Sequence, residues 1–175
     1  MPSPRQTALR PHDVAVALEL ALSPGKGYEA LAKAVGLSLS EAHAAVQRLT
    51  HAKLLAPDGR RVLASALLEF LIAGVPHAFP PDLGQETRGV PTAHSARPLA
   101  SKVPSEDTLV WPSADGTTRG QSLTPLYPKA TRLPATNPDL YELLTLVDAL
   151  RVGRARERQR AKEILHKRLA GLARE

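Results

Sequence analysis

Apolar residues recur at helical spacing through the first third of the chain. In the segment 11–22 they form one continuous face, and a proline stands at its first position, where helices tolerate it. A second, shorter helical pattern covers 28–35 and ends at Gly36, a residue that readily takes the left-handed conformation of a helix cap. The pattern restarts at once behind Ser38. The sequence therefore predicts three helices, with a tight turn between the second and the third.

The third predicted helix, 38–52, has two faces of different character. Ser38 and Glu41 match the pattern of a capping box, in which each side chain accepts a hydrogen bond from the backbone N–H of the other. The face predicted to turn inward is apolar and consists of Leu39, Ala42, Val46 and Leu49. The face predicted to turn outward consists of Ser40, His43, Ala44, Gln47, Arg48 and His51. A purely structural helix does not need such a polar row, whereas a helix that contacts a polar partner does.

A turn signal and a further helical pattern follow. The letters PDG separate two short apolar runs within 54–63, which predicts a β-hairpin with Arg60 and Arg61 just beyond its turn. The apolar spacing of 64–74 predicts a fourth helix that ends at Gly74. We therefore expect the N-terminal part of the chain to be helical, with one small hairpin.

From 75 to 138 the periodic pattern disappears. This stretch holds 11 of the chain's 16 prolines and is rich in glycine, serine and threonine, which disfavours both helices and a regular sheet. It still contains Phe79, Trp111 and Tyr127, large side chains that argue against full disorder. We therefore expect an extended arm over 76–137 that packs onto the helices and contains a few short strands.

The last region returns to helical spacing and carries the net charge of the protein. Its first apolar stripe consists of Leu140, Leu143, Leu144, Val147 and Leu150, and a thinner stripe follows with Ile164, Leu165, Leu169 and Leu172. Gly153 is placed to kink or split the helical region. Residues 151–175 hold nine Lys and Arg against three Glu, which equals the +6 of the whole chain. This basic excess suits a polyanionic partner, but it is equally compatible with the solvated face of a helix that binds a protein.

The side chains that most enzymes and metal sites need are missing or scattered. There is no cysteine, and the six histidines form no ligand spacing such as His-x-x-x-His. We therefore expect no enzyme, no metal and no cofactor. No stretch approaches the roughly 18 consecutive apolar residues of a membrane span, and the first letters, MPSPRQTALRP, lack the apolar run of a signal peptide. These patterns predict a cytoplasmic protein without a membrane partner.

The order of helix, short helix, tight turn, capped helix and hairpin resembles the winged helix-turn-helix domain of MarR- and Lrp-like bacterial regulators. The letters that carry the resemblance are YEALAKAVGLSLSEAHAAVQRLTHAKLLAPDGRRVL, and it covers residues 9 to about 74. It implies a DNA-binding domain with a small β-hairpin wing over 1–75. Together with the patterns of the later segments, this predicts a mainly α fold in three parts, in which the domain is followed by an irregular proline-rich arm over 76–137 and a basic helical dimerisation segment over 138–175.

The resemblance also implies a function, a dimeric transcriptional repressor that binds double-stranded DNA with helix 38–52 in the major groove and hairpin 54–63 on the backbone. The residues expected at DNA are Tyr28, Ser38, Ser40, His43, Ala44, Gln47, Arg48, Arg60 and Arg61. The residues expected at the homodimer interface are Leu140, Leu143, Leu144, Val147 and Leu150. The alternative is an antitoxin-like or adaptor protein whose arm and C-terminal helix bind a protein partner.

Overall fold

The computed structural model describes residue 3 and residues 7–172, and helices form the largest part of it. The mainly helical fold predicted from the sequence is confirmed, with a small three-stranded sheet in addition. The N-terminal helices, the sheet and the C-terminal helices contribute to one hydrophobic core, for example through Leu18, Trp111, Leu144 and Leu165. None of the described helices is both long and apolar enough to cross a membrane.

The N-terminal helices begin and end where local chemistry dictates. They are α1 (Pro11–Leu22), α2 (Tyr28–Val35) and α3 (Leu39–His51). Gly36 takes a φ of 81°, and its N–H donates to the carbonyl of Ala32 over 2.8 Å, which closes α2. The N–H of Glu41 donates to Ser38 Oγ (3.2 Å), and the N–H of Ser38 donates to Glu41 Oε2 (2.8 Å). The predicted tight turn and the predicted capping box are therefore both confirmed.

The predicted hairpin is much smaller than expected. Within 54–63 a single antiparallel bridge joins Leu55 and Val62, and we refer to this segment as the 54–63 turn. Gly59 closes it with a φ of 66°. Pro57 has no N–H with which to extend the ladder, and a helix begins at residue 64, so there is no room for longer strands.

The helix that follows continues beyond its predicted end. It consists of α4 (Ala64–Glu69), one π-helical turn (Phe70–Gly74) and α5 (Val75–Ala78). Gly74 keeps a right-handed φ of −97°, and a Cβ added to it would lie 2.5 Å from Cδ2 of Phe70. The prediction that Gly74 ends the helix is wrong, because this glycine makes room for an aromatic ring instead of forming a cap.

The proline-rich middle of the chain folds into a small closed barrel and short helical turns. The strands are β1 (Leu83–Pro91), β2 (Leu109–Pro112) and β3 (Thr118–Leu123). Strand β1 pairs antiparallel with both others, and β2 and β3 run parallel. Gly89 lies where two strands approach closely, since an added Cβ would be 2.0 Å from the carbonyl oxygen of Trp111. The expectation of a few short strands is confirmed, and their pairing with one another makes this region more regular than an extended arm.

Three helices complete the chain. They are α6 (Leu133–Thr136), α7 (Pro138–Val152) and α8 (Ala155–Leu172). Gly153 separates α7 from α8, as predicted. Leu165 and Leu169 of α8 are buried, whereas the side chain of Leu172, also expected in this stripe, lies outside the described residues.

The predicted homodimer interface is wrong. Its residues all lie in the hydrophobic core of this chain, with at most 1% of their surface exposed: Leu140, Leu143, Leu144, Val147 and Leu150. Helix α7 packs against α1, α8 and the turn that follows β1, and its residues 143–150 are all buried. An apolar stripe at helical spacing predicts burial but does not identify the surface that covers it.

Candidate nucleic-acid interface

Helix α3 presents a polar face to solvent. Ser40, His43, Gln47 and His51 are exposed, and the small Ala44 between them is half-buried. The opposite face is buried through Ala42, Ala45, Val46 and Leu49. The outward direction predicted for these polar residues is therefore confirmed, whereas their contact with DNA stays a prediction.

Arg48 corrects the predicted site, because it faces inward and only 4% of its surface is exposed. Its Nε donates to Asp13 Oδ2 (2.8 Å) and its Nη2 donates to Asp13 Oδ1 (2.7 Å), a bidentate ion pair with the first turn of α1. The same Nη2 lies 3.2 Å from Nε2 of His12. Arg48 stands at the edge of the polar row, and its long side chain bends back to a carboxylate 35 residues earlier. It is therefore not available to read a base.

Leu39 also differs from its predicted position, because it faces outward instead of inward. It was expected on the inward face, but 45% of its surface is exposed. It occupies the first position of α3, directly before the exposed Ser40, where no other element covers it. The exposed face of α3 therefore combines hydrogen-bonding side chains with one large apolar residue.

Two predicted contact residues meet each other. The rings of Tyr28 and His43 are stacked, with centroids 3.6 Å apart and an angle of 20° between their planes. Tyr28 is the first residue of α2, and His43 lies in the middle of α3. The stack fixes one ring against the other and couples the beginning of α2 to the exposed face of α3.

The beginning of α3 carries charges of both signs. The backbone N–H of Ser38 is the main cause that lowers the pKa of the Glu41 carboxyl, so Glu41 is anionic at neutral pH. Lys129 lies against the Gly36 turn, since a Cβ added to Gly36 would be 3.5 Å from the Cβ of Lys129. The positive charge of Lys129 also lowers the pKa of Glu41. Lys129 was not predicted as a site residue, because it reaches this place from the proline-rich segment and no local pattern marks it.

Contacts with α2 hold this part of the proline-rich segment in place. The hydroxyl of Tyr127 donates to the carbonyl of Val35 (2.8 Å), and Asn137 Nδ2 donates to the carbonyl of Ala34 (3.2 Å). These contacts cover the end of α2. They leave the polar face of α3 open, since its residues Ser40, His43 and Gln47 are exposed.

Arg60 and Arg61 are exposed at the 54–63 turn, next to α3. Their backbone N–H groups both donate to Asp58 Oδ1, over 2.8 and 3.2 Å, and these bonds lower the pKa of Asp58. A Cβ added to Gly59 would lie 3.0 Å from Val46 Cγ1, so the turn packs directly on α3. The two arginine side chains have no acidic hydrogen-bond partner among the described residues.

Across the described residues, no group of three or more His, Asp or Glu side chains is arranged to hold a metal ion. Comparison of the chain with protein-family models, curated proteins and solved structures finds no match. The geometry of α2, α3 and the 54–63 turn is therefore the basis for inferring its function.

Proposed function

We propose that this protein binds double-stranded DNA through α3 and the 54–63 turn and acts as a transcriptional regulator of the winged helix-turn-helix type. The observation that carries the proposal is the exposed row of Ser40, His43 and Gln47 on one face of α3. The N-cap of this helix, Ser38, stands two residues after Gly36, which has the left-handed conformation. The major groove admits one helix and displays hydrogen-bond donors and acceptors on the base edges. A row of this kind matches what the groove offers.

Each side chain takes the role that its chemistry allows. The amide of Gln47 pairs with the N6 and N7 atoms of adenine, while Ser40 and His43 supply further hydrogen bonds to bases. Arg60 and Arg61 bind phosphates beside the groove, because they are exposed, cationic and next to α3. The hydroxyl groups of Tyr28 and Ser38 and the ammonium group of Lys129 bind the backbone near the beginning of α3. Arg48 takes no part in base recognition.

The test begins with selection of bound duplexes from a random pool, followed by fluorescence anisotropy on selected and unselected DNA. Gln47→Ala is expected to lower the preference for the selected sequence roughly tenfold, since a bidentate base contact contributes about 1–3 kcal/mol of discrimination. The matched control is Gln121→Ala, an exposed glutamine on β3 that must leave the preference unchanged. Selection without any enriched sequence contradicts the proposal.

The arginines give a second, independent readout. Arg60→Gln combined with Arg61→Gln is expected to weaken binding to every duplex and to reduce the slope of log K against log salt by about 2. The control is Arg97→Gln combined with Arg156→Gln, which removes the same charge from exposed positions outside α3 and the turn. An equal effect of both pairs means that binding follows net charge alone, and the role of the 54–63 turn is then wrong.

A second candidate function is protein docking by the same face. The exposed Leu39 favours it, because a large apolar side chain beside polar residues suits a protein surface better than a phosphate backbone. The two candidates are separated by Leu39→Ser and Gln47→Ala measured side by side. In a DNA-binding protein the glutamine change has the larger effect on sequence preference, while a docking protein selects no DNA sequence at all.

A further inference from the structure

A cleft of about 730 Å³ lies between the 54–63 turn, the end of α1 and α8. Its apolar wall includes Leu20 and Ala21 of α1, Val62 of the turn and Leu169 of α8, and Arg60 and Arg61 lie at its edge. Sites for small molecules commonly enclose about 300–1,000 Å³ and are lined mainly by apolar side chains with a few polar groups. The cleft therefore has the size and the lining of a small-molecule site.

A second groove lies beside this cleft, between α4 and α8. The second groove, of about 490 Å³, shares Ala64, Ser65 and Leu169 with the first and adds Leu68 and Ile72. The apolar residues that line both are aliphatic, and no aromatic side chain is among them. Two adjoining aliphatic grooves suit a flexible alkyl chain, whereas a planar aromatic ligand finds only the imidazole of His166 on which to stack.

Charge distinguishes the two ends. Arg60 and Arg61 stand at the first end, and the carboxylate of Asp58 accepts hydrogen bonds from their backbone N–H groups, not from their side chains. The second end holds Glu69 and His166 instead. An anionic head group is therefore attracted to the arginine end, and the alkyl chain follows the groove toward Ile72.

We propose that this groove binds an aliphatic carboxylate of medium chain length, with the carboxylate at Arg60 and Arg61 and the chain between α4 and α8. Because the same arginines bind phosphates in the proposed DNA complex, the ligand competes with DNA. Only this competition rests on the proposed function; the binding itself does not.

Binding is tested by calorimetric titration of the full chain with sodium decanoate, with decanol as the uncharged probe. We expect one decanoate per chain and binding of decanol at least about tenfold weaker, because decanol lacks the charge that the arginines recognise. Arg60→Gln combined with Arg61→Gln is expected to weaken decanoate binding about tenfold, while the control pair Arg97→Gln with Arg156→Gln leaves it unchanged.

A blocking variant tests the position of the chain. Ser65 is exposed and lines both grooves, so Ser65→Trp fills the passage between them without changing the core. We expect this variant to lose decanoate binding, while Thr117→Trp, an exposed residue that lines neither groove, retains it. All variants are compared only after their urea midpoints match that of the parent chain. Absence of decanoate binding up to about 1 mM, or equal binding by both tryptophan variants, overturns the proposal.

A second measurement separates this proposal from the proposed function. Decanoate is added to a complex of the protein with selected DNA, and the anisotropy is followed. Release of DNA supports both proposals. Decanoate binding by a chain that selects no DNA supports the groove and contradicts the regulator, whereas DNA selection without decanoate binding contradicts the groove alone.

Discussion

Helices α3 and α7 are similar in length, with 13 and 15 residues, but they relate to the rest of the chain in opposite ways. Helix α7 is enclosed, since residues 143–150 are all buried between α1, α8 and the segment that follows β1. Helix α3 buries one side and leaves Ser40, His43 and Gln47 in solvent. Of these two helices, α7 therefore organises the core, and α3 is the one that keeps a polar face in solvent.

Their buried polar groups show the same division. Asp148 of α7 accepts hydrogen bonds from Trp111 Nε1 (2.7 Å) and Thr92 Oγ1 (2.6 Å), which tie the barrel region to the helix. It also accepts one from Arg151 Nη1 (2.8 Å) on α7 itself. Arg48 of α3 likewise donates two hydrogen bonds to the buried carboxylate of Asp13 in α1. Polar groups on the enclosed sides are satisfied inside the chain. Only polar groups that lack such partners are free to bind another molecule.

The largest loss of stability is expected when the buried carboxylate that pairs with Arg48 of α3 is removed. Asp13→Ala leaves the Arg48 guanidinium buried without its carboxylate, which is expected to lower the free energy of unfolding by about 3–5 kcal/mol. The measurement is urea denaturation followed by circular dichroism. The control is Glu86→Ala, which removes an exposed pair with Arg119 and is expected to cost less than about 1 kcal/mol. Equal losses in the two variants contradict the buried pair.

A paired replacement sharpens this result. Asp13→Leu combined with Arg48→Met removes both charges and keeps apolar volume, so most of the stability lost by Asp13→Ala is expected to return. Selected DNA is expected to bind this double variant as tightly as the parent chain. A marked loss of sequence preference at full stability means that Arg48 leaves its pair and contacts a base.

The next effect concerns α7. Leu144→Ala creates a cavity in the core and is expected to lower the free energy of unfolding by about 2–5 kcal/mol, without changing the molar mass measured by light scattering. Leu83→Ala, at a leucine with 45% of its surface exposed, is the matched control and is expected to cost less than about 0.5 kcal/mol. Loss of an oligomer at unchanged stability restores the dimer interface predicted from the sequence.

Sequence reasoning succeeded where the cause of a feature is local. The capping box of Ser38 and Glu41 and the left-handed Gly36 lie within six residues, and both the turn and the beginning of α3 follow from them. It failed where a partner lies far away along the chain. Asp13 captures Arg48 from 35 residues away, and α7 is covered by elements from both ends of the sequence.

The proline-rich segment illustrates the same limit. Its prolines argued against a regular sheet, yet Pro91 and Pro112 are the last residues of β1 and β2, where a missing N–H is harmless. Strand β1 pairs with residues 19 to 40 positions later, so no short pattern reveals the barrel. Lys129 reaches the candidate site by the same long-range folding, which explains why it was missed.

A smaller effect is expected at the beginning of α3. Ser38→Ala removes the acceptor for the Glu41 N–H and is expected to lower the free energy of unfolding by about 1 kcal/mol. Ser40→Ala, two residues later on the exposed face, is the control and is expected to change stability by less than about 0.5 kcal/mol. In the DNA assay, the proposed interface predicts that Ser40→Ala lowers the sequence preference more than Ser38→Ala does. The reason is that Ser40 contributes to base recognition and Ser38 mainly to the cap.

The smallest effect expected is a dependence of stability on pH through His12, at the junction of α1 and α3. Burial is the main cause that lowers the pKa of His12 below its ordinary value of 6.5; Arg48 and Arg10 lower it further, while Asp13 and Glu41 oppose the shift. The folded chain therefore binds fewer protons than the unfolded chain between the two pKa values. The stabilising contribution is complete above pH 6.5 and is lost as the pH falls through the folded pKa.

We expect the urea concentration at the midpoint of unfolding to decrease when the pH is lowered from about 7.5 to 5.5. His12→Gln is expected to reduce this fall, because glutamine offers Arg48 an acceptor that does not titrate in this range. His51→Gln, at an exposed histidine of α3, is expected to leave it unchanged. An identical pH dependence in both variants contradicts the assignment to His12.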